Sequence, residues 1–397
     1  MSRAHINFGG YRRALSAAQL RDFRRFGFVV VRNVFSRHEL DPLIQRVSRW
    51  IDVVARDLYA ARKLSSLYSD LPFDRRMAAI EREVPGVAAR MHIAKVKDKG
   101  HGLSAGHISR EWVESRNIWG SEKMLDLVEQ CLQTRDIAAH PVFNLRLRVP
   151  TSTNYTGKAD NPENTSQYDV FHTVPFHQDA AYNLPEADNT LQVGAWIPLV
   201  DVSKTKMNGP MEFVKWEQKE MKILSHKNAN NGSWYLVCDE PEFKSKIAGN
   251  KVETVIVDVN VGDIILFNNW VPHRSLPNYV NSSARISFDM RWQSIHEPHG
   301  TFGGKLVQLR SNDDRNLKID WSKYLPRTAN VQGPREGKYV GRWGELKPMT
   351  HLEEIFYRTT ALSKSVPIVG GEKREEELEY FKLLKEGKID ENGKPIL

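Results

Sequence analysis

The sequence has few of the features that mark secreted or membrane proteins. Its 397 residues include only two cysteines, Cys131 and Cys238, which lie in unrelated contexts. Two thiols in so long a chain indicate reduced residues of a cytoplasmic protein rather than a disulfide framework. The first residues form no apolar signal sequence, and no stretch approaches the ~20 apolar residues of a membrane span. We therefore expect a cytoplasmic protein without a membrane segment.

Charged residues are plentiful, but they are scattered rather than grouped by sign. The formal net charge is +8, from 57 lysines and arginines against 49 acidic residues. No nucleic-acid-binding motif accompanies this charge, so we expect no nucleic-acid partner. A small anionic substrate explains a positive field equally well, and so does a solvated surface that has no partner.

Helix signals are concentrated in the N-terminal half. Ser16 is placed to cap a helix over AAQLRDFRRF, and Gly27 to end it before the strand FVVVRNV. Apolar spacing predicts a long amphipathic helix over 36–61 and another helix over 122–139. RMHIAKVKD and the alternating stretch PVFNLRLRVP predict strands.

Short strands separated by turn residues follow. The predicted strands are TLQVGAWIPLV, MEFVKW, VETVIVDV, GDIILFNN and ARISFDMRW. Residues 150–173 form a polar loop that is a candidate lid, and residues 220–250 form a polar insertion. KREEELEYFKLLKEG predicts a terminal helix that ends at Gly387. Helices followed by strands favour an α+β fold with a β-sandwich or jelly-roll core.

The stretch VPFHQDAAYN holds two groups that bind metals, His177 and Asp179, on either side of Gln178. On a strand, residues i and i+2 point to the same side, so the imidazole and the carboxylate converge while Gln178 faces away. His273, which follows an apolar strand, is the best third ligand. Two histidines and one carboxylate form the facial triad of non-haem Fe(II) oxygenases. Zinc takes the same ligands, but the HExxH pattern of hydrolytic zinc sites is absent.

Arg285 lies twelve residues after His273, in the alternating stretch ARISFDMRW. One face of this predicted strand carries Arg285, Ser287, Asp289 and Arg291. If the apolar face packs outside the site, the guanidinium of Arg285 points towards the metal. A guanidinium in that position binds a carboxylate through two parallel hydrogen bonds.

Three further histidines compete for roles at this site. His172 lies five residues before His177 in the polar loop, where a solvated or supporting role is the better interpretation. His296 and His299 in IHEPHG resemble a metal pair. They follow the last core strand, which favours a capping or surface role.

Four motifs in this order, HQD, NGPMEFV, PHRSLPN and RISFDMRW, resemble the phytanoyl-CoA dioxygenase family of Fe(II)/2-oxoglutarate oxygenases. The resemblance begins with LSAAQLRDFRRFGFVVVRNVF and runs from about residue 15 to 295. It implies one oxygenase domain over 1–397, with a double-stranded β-helix core that is jelly-roll or cupin-like and has flanking N- and C-terminal helices. Residues 296–397 would form a helical and irregular extension.

The resemblance also implies roles for individual residues. His177, Asp179 and His273 hold Fe(II), and Arg285 and Ser275 bind the far carboxylate of 2-oxoglutarate. Three protein ligands and two oxygens of 2-oxoglutarate leave one position for O2. The family chemistry decarboxylates 2-oxoglutarate to succinate and CO2 and oxidises an unactivated C–H bond. The residues expected to line the co-substrate pocket are Lys95, Trp196, Gln178 and Leu145.

The chain departs from the family pattern in two places. The usual Pro-Gly-Ser-His after NGPMEFV is replaced by KWEQKEMK, and the His-to-Arg spacing is one residue longer than is common. Both departures concern the part of the site expected to bind substrate more than the expected iron ligands. The residues named as candidate substrate contacts are Arg146, Arg148, Tyr182, Trp270 and Arg291. Ion pairing is the alternative for the arginines, and core packing for the two aromatic residues.

These features predict an Fe(II)/2-oxoglutarate-dependent dioxygenase that acts on a small anionic metabolite, such as an amino-acid-derived carboxylate or an acyl-CoA. Hydroxylation is one outcome, and desaturation or the ring closure of kainoid-forming relatives uses the same cofactor chemistry. Asp179 argues against the related halogenases, which lack this carboxylate. Two other classes stay open, a catalytically silent cupin-like binding protein and a zinc hydrolase. The sequence does not predict the oligomeric state.

Overall fold

The computed structural model describes residues 14–85, 87–88, 113–151, 174–217, 223–228, 236–301 and 305–323. Several expectations fall outside these residues. They concern the strand around Lys95, the loop from 152 to 173 with His172, and the terminal helix before Gly387.

Two capped helices begin the fold, α1 (Ala17–Phe26) and α2 (Arg37–Ala60), with the short strand β1 (Phe28–Val31) between them. Ser16 and Ser36 each accept a hydrogen bond from the third helical residue, whose side chain bonds back to the cap. Gly27 ends α1 with a φ of 83°, a left-handed conformation that glycine adopts without strain. The sequence prediction of both helices is confirmed.

The described residues contain further helices that support the sheets. They are α3 (Phe73–Glu83), α4 (Val113–Trp119), α5 (Glu122–Leu132) and α6 (Pro241–Ala248). Neither α3 nor α4 was predicted, and α3 begins after Pro72 without a side-chain cap. The helix predicted over 122–139 is wrong beyond residue 132, because Gln133 turns left-handed with a φ of 59°. No helix within the described ranges is both long and apolar enough to cross a lipid bilayer.

Antiparallel strands build the rest of the fold. They are β2 (Ile137–Ala139), β3 (Asn144–Arg148), β4 (Val193–Pro198), β5 (Met211–Lys215), β6 (His226–Asn228), β7 (Leu236–Cys238), β8 (Glu253–Val257), β9 (Ile264–Asn268), β10 (His273–Ser275), β11 (Arg285–Ser294) and β12 (Val307–Arg310). Within the described chain, a major sheet has the order β1-β9-β4-β11-β2-β12, and β3 also pairs with β11. A minor sheet has the order β10-β5-β8, and β6 and β7 form a separate hairpin.

The major sheet packs against the helices on one face and the minor sheet on the other. Along β9, Leu266 belongs to the apolar cluster that includes the helices, whereas Ile265 and Phe267 cluster with Phe213 of the minor sheet. Along β11, the apolar side chains from Ile286 to Trp292 join the helix-side cluster. The alternation predicted for β11 is therefore confirmed, and its polar residues face the minor sheet.

Strand pairing adds detail to two regions outside the predicted core strands. β12 pairs with β2, so the major sheet continues past residue 295, where a helical and irregular extension was expected. The polar insertion contains the β6–β7 hairpin and α6, which share a buried cluster of Leu224, Cys238 and Phe243. Apolar residues spaced along this segment therefore give it a small core of its own.

The turn before β9 requires glycine at position 262. Gly262 has a φ of 101°, and a Cβ there would lie 2.2 Å from the carbonyl oxygen of Phe35. Its own carbonyl accepts hydrogen bonds from the N–H groups of Val34 and Phe35. We predict that Gly262→Ala lowers the free energy of unfolding by about 2–4 kcal/mol, measured by urea denaturation, through left-handed strain and steric overlap.

Gly249→Ala is the matched control for this prediction. Gly249 is exposed and has an ordinary φ of −86°, so the same added methyl group should cost less than about 1 kcal/mol. An equal loss of stability in the two variants would contradict the role assigned to Gly262.

Candidate active site

Backbone pairing brings two of the predicted metal ligands together. His177 forms an isolated bridge with His273, the first residue of β10. Each N–H donates to the other residue's carbonyl oxygen at 3.0 Å. The two imidazole ring centroids lie 4.4 Å apart, so two residues distant in sequence are fixed side by side.

Asp179 lies at the start of the short 3₁₀ helix Asp179–Tyr182 rather than on a strand. The strand expected through HQD therefore ends at Gln178, whose backbone is extended with φ −112° and ψ 135°. This one extended residue turns the carboxylate to the same side as His177, and Asp179 Oδ1 lies 3.6 Å from His177 Nε2. One possible ligand atom from each of His177, Asp179 and His273 lies within 4.8 Å of the others.

The hydrogen bonds of the two imidazoles leave their Nε2 atoms available for a metal. His177 Nδ1 lies 2.7 Å from the carbonyl oxygen of Pro175, and His273 Nδ1 lies 3.0 Å from that of Val271. A carbonyl oxygen only accepts, so each Nδ1 carries the hydrogen and each Nε2 presents a lone pair. Burial and the neighbouring His177 lower the pKa of His273 to about 4. His273 is therefore neutral near pH 7.

Arg291 on β11 holds the carboxylate of Asp179. Its Nε and Nη2 donate to Oδ2 at 2.9 and 2.6 Å, and Oδ1 is left on the side of His177. Burial acts to raise the pKa of Asp179, but Arg291 and the two histidines outweigh it and hold the pKa well below its usual range. Asp179 is therefore ionised. An ionised carboxylate beside two imidazoles fits the donor set of Fe(II).

Two arginines meet at one serine elsewhere in the cavity. Arg148 on β3 and Arg285 on β11 are direct partners across the antiparallel pair. Their Nη2 atoms donate to Ser275 Oγ at 2.7 and 3.0 Å, and all three residues are buried. Since the hydroxyl oxygen accepts both bonds, its own hydrogen is left to donate to a ligand. Like charges directly opposite each other destabilise a sheet, and a carboxylate placed between them would relieve the repulsion.

Further contacts fix the orientation of Arg285. Its Nη1 donates to Ser287 Oγ at 2.6 Å, and its Nε donates to the carbonyl oxygen of Gly209 at 3.2 Å. Its Cζ lies 5.3 Å from the ring of Trp196, close enough for a cation–π contact. The guanidinium is therefore held in place by protein groups alone.

Two adjoining cavities meet at the predicted metal ligands. The first, called here the co-substrate cavity, joins His177, Asp179 and His273 to the cluster of Arg148, Ser275 and Arg285, with Trp196 in its wall. Both cavities are lined by Arg146, Val174, His177, Asp179 and Arg291. The second cavity alone is lined by His140, Val142, Asn144, Tyr182, Asn183 and Gln192.

Three residues predicted in the pocket point elsewhere. Gln178 faces away from the two ligands that flank it, and its Nε2 donates to the carbonyl oxygen of Trp270 at 2.5 Å. Leu145 lies on the apolar face of β3 and packs in the helix-side cluster. The indole N–H of Trp270 donates to the carbonyl oxygen of Asp188 at 3.1 Å. None of the three is among the residues that line these two cavities. Their expected contacts with co-substrate or substrate stay predictions. Lys95 lies outside the described residues.

The arginines predicted as substrate contacts are divided between different partners. Arg148 belongs to the Ser275 cluster, Arg291 to Asp179, and Arg146 Nε donates to Asp289 Oδ2 at 2.9 Å. Tyr182 remains beside the metal ligands, with its ring centroid 5.7 Å from that of His177.

Several polar residues that line the second cavity are not predicted by the sequence analysis. The alternation in PVFNLRLRVP does place Asn144 on the same face as Arg146, so this residue could have been predicted. His140, Asn183 and Gln192 carry no such signal, because they come from loops whose positions depend on tertiary packing. His296 is exposed and pairs with Asp136 at 3.4 Å, while His299 bonds through its ring to Thr301.

We predict that His273→Ala weakens Ni(II) binding by roughly 100-fold or more, because removing a ligand exceeds the 10–100-fold effect of losing a supporting contact. Isothermal titration calorimetry of the metal-free protein measures this affinity. His296→Ala is the control, since His296 is exposed and is not one of the three converging ligands. An equal loss of Ni(II) affinity in both variants would show that Ni(II) binds at another site.

Comparison with known proteins agrees with this geometry. The sequence matches the family model described as phytanoyl-CoA dioxygenase (PhyH) over residues 23–286. No curated protein matches the sequence. Similar solved structures include the apo non-heme monooxygenase ThoJ, with 14% identity over 87% of this chain and 95% of that chain and a TM-score of 0.44.

Two further solved structures are similar at the same level. The epimerase SnoN, in complex with Fe3+, alpha ketoglutarate and nogalamycin RO, has 15% identity, covers 71% of this chain and 86% of that chain, and has a TM-score of 0.43. EctD from S. alaskensis, with 2-oxoglutarate and 5-hydroxyectoine, has 16% identity over 74% of this chain and 80% of that chain, and a TM-score of 0.42. The family match spans well over half of the chain. The chain therefore belongs to the phytanoyl-CoA dioxygenase family, and it is an oxidoreductase that uses Fe(II), 2-oxoglutarate and O2.

Proposed function

We propose that this oxygenase oxidises an unactivated C–H bond of a small anionic metabolite. The observation that carries the proposal is the co-substrate cavity, which joins three converging metal ligands to the Arg148–Ser275–Arg285 cluster. A keto diacid has the two ends that this cavity requires, one for a metal and one for paired guanidinium groups.

The proposal also includes the type of β-fold, the domain organisation and the cellular compartment. The major and minor sheets share the buried cluster of Trp196, Phe213 and Phe267, and we take them as the two halves of a double-stranded β-helix. We propose one oxygenase domain over 1–397. The described cysteines, Cys131 and Cys238, are both buried and free, which suits a cytoplasmic protein.

Each side chain in the co-substrate cavity has a distinct task. His177, Asp179 and His273 would hold Fe(II), which when bound supplies oxidising chemistry driven by the decarboxylation of 2-oxoglutarate to succinate and CO2. Ser275 would donate its hydroxyl hydrogen to the far carboxylate, and Arg148 and Arg285 would balance its charge. Burial of these groups keeps bulk water from the reacting atoms.

A buried arginine N–H in the lining of the second cavity favours an anionic substrate. Arg291 Nη1 is buried and has no hydrogen-bond acceptor among the described residues, although its other donors hold Asp179. A buried donor without an acceptor costs about 1–3 kcal/mol, and an anionic oxygen of the substrate would remove that cost. Arg146 lines the same cavity, where it is ion-paired with Asp289.

Four further residues that line the second cavity have polar side chains. They are His140, Asn144, Asn183 and Gln192. Such groups suit hydroxyl or amide functions of a ligand. We therefore propose a small carboxylate that also carries neutral hydrogen-bonding groups.

We predict that the protein loaded with Fe(II) converts 2-oxoglutarate to succinate in the presence of O2, quantified by mass spectrometry. Asp179→Ala should lower the rate at least about 100-fold, because an ionised ligand is lost. Small carboxylates should stimulate succinate formation more than their primary amides. A protein that binds 2-oxoglutarate but releases no succinate would be a silent binding module. If the protein instead converts a candidate substrate without 2-oxoglutarate and O2, it is a hydrolase.

We predict that Arg285→Ala raises the KM for 2-oxoglutarate roughly 100-fold, equivalent to the loss of about 3 kcal/mol from a buried charge-assisted contact. Arg285→Lys should retain part of the affinity, because it keeps the charge but loses the planar fork. Arg274→Ala is the control, since Arg274 lies on the opposite face of β10 and donates to Glu212 at 2.5 Å. An unchanged KM in Arg285→Ala would place the diacid elsewhere.

A further inference from the structure

The polar insertion wraps the segment that carries two of the metal ligands. We name residues 223–228 and 236–238 the insertion clamp; its two strands are β6 and β7. It follows in sequence the stretch KWEQKEMK, where the chain departs from the family pattern. Three clamp N–H groups reach the ligand segment: Leu224 donates to Gln178 Oε1 at 2.7 Å, Leu236 to Tyr182 Oη at 2.8 Å, and Cys238 to the Phe176 carbonyl at 2.8 Å.

His226 lies at the centre of the insertion clamp and is buried. Its Nδ1 lies 2.8 Å from the carbonyl oxygen of Leu224, so Nδ1 carries the hydrogen and Nε2 is an acceptor. Nε2 accepts from the backbone N–H of Gln178 at 3.1 Å, and Cys238 Sγ lies 3.2 Å away. Burial raises the pKa of the Cys238 thiol, which therefore keeps its hydrogen and can donate it to the same nitrogen.

Gln178 is the residue through which this contact reaches the metal site. It stands between His177 and Asp179, and its backbone conformation sets the angle between their side chains. Its backbone N–H is held by His226, its Oε1 by Leu224, and its Nε2 by the carbonyl oxygen of Trp270. The position of His177 is fixed separately by its bridge to His273. Arg291 holds the carboxylate of Asp179 from the other side. The direction of the Asp179 side chain from the main chain therefore depends on how Gln178 is held.

We propose that His226 is a positioning residue, which through the Gln178 N–H fixes Asp179 in the direction that a metal requires. His226 lines neither cavity and is not one of the three converging ligands. This role rests on the iron site of the proposed function. Supporting contacts of this kind hold metal ligands in place before the metal binds, so metal affinity is the quantity that reports on them.

The decisive comparison is between His226→Phe and His226→Gln in the full-length protein. Phenylalanine keeps the ring shape but removes the acceptor, and Ni(II) affinity measured by titration calorimetry should fall by about 10- to 100-fold. Glutamine places an oxygen near the position of Nε2 and should restore most of the affinity. Unchanged affinity in a folded His226→Phe protein, or an equal loss in His226→Gln, would overturn the proposal.

Two controls separate positioning from general loss of stability. Gly262→Ala should lower the unfolding temperature but leave Ni(II) affinity near that of the wild type, because Gly262 lies at the turn beside Phe35. Cys238→Ala removes one donor to His226 but keeps the acceptor, so its Ni(II) affinity should also stay close to wild type. A loss of affinity in Gly262→Ala equal to that in His226→Phe would reduce the effect to stability alone.

A second variant keeps the proposal testable if His226→Phe does not fold. His226→Leu also removes the acceptor for the Gln178 N–H but has a smaller side chain, and it should weaken Ni(II) binding in the same range. Wild-type affinity in a folded His226→Leu protein would overturn the proposal. Failure of the proposed function looks different, because the wild-type protein itself would then bind no Ni(II) at the triad or form no succinate.

Discussion

The active site depends first on two backbone hydrogen bonds, those that join His177 to His273. They connect the segment after residue 174 to β10, and β10 pairs with β5 in the minor sheet. Asp179 follows within two residues, so all three predicted ligands are set by one short stretch of strand pairing. The charges that balance this group come from the other sheet, since Arg291 and Arg285 both lie on β11. The site therefore exists only where the two sheets pack together.

One face of β11 serves both ends of the co-substrate cavity. Arg285 faces Ser275, Asp289 pairs with Arg146, and Arg291 pairs with Asp179. Buried charges are stable only with partners of good geometry, and the two-residue period of the strand places each of these side chains beside its partner. A single strand thus aligns the Arg148–Ser275–Arg285 cluster with the three converging metal ligands. The apolar face of the same strand anchors this arrangement in the helix-side core.

Local signals account for what could be predicted from the sequence. The capping serines and Gly27 define α1 and α2, and the alternation in ARISFDMRW places Arg285 inside. The end of α5 at Gln133 was missed because a left-handed glutamine leaves no clear signal. The pairing of Arg291 with Asp179 was not predicted for a different reason. It depends on how β11 packs against the segment that carries Asp179, and the spacing of residues within one strand carries no information about that packing.

The spacing of two residues on β10 has a consequence for co-substrate choice. His273 and Ser275 are both buried, with Arg274 turned the other way, and two residues of a strand rise about 6.6–6.8 Å. The main chain therefore sets the spacing of the residues that carry the His273 imidazole and the Ser275 hydroxyl. We expect a five-carbon keto diacid to span it, whereas its four-carbon homologue would fall one carbon short. Changes to the walls of the second cavity would leave that length selection intact.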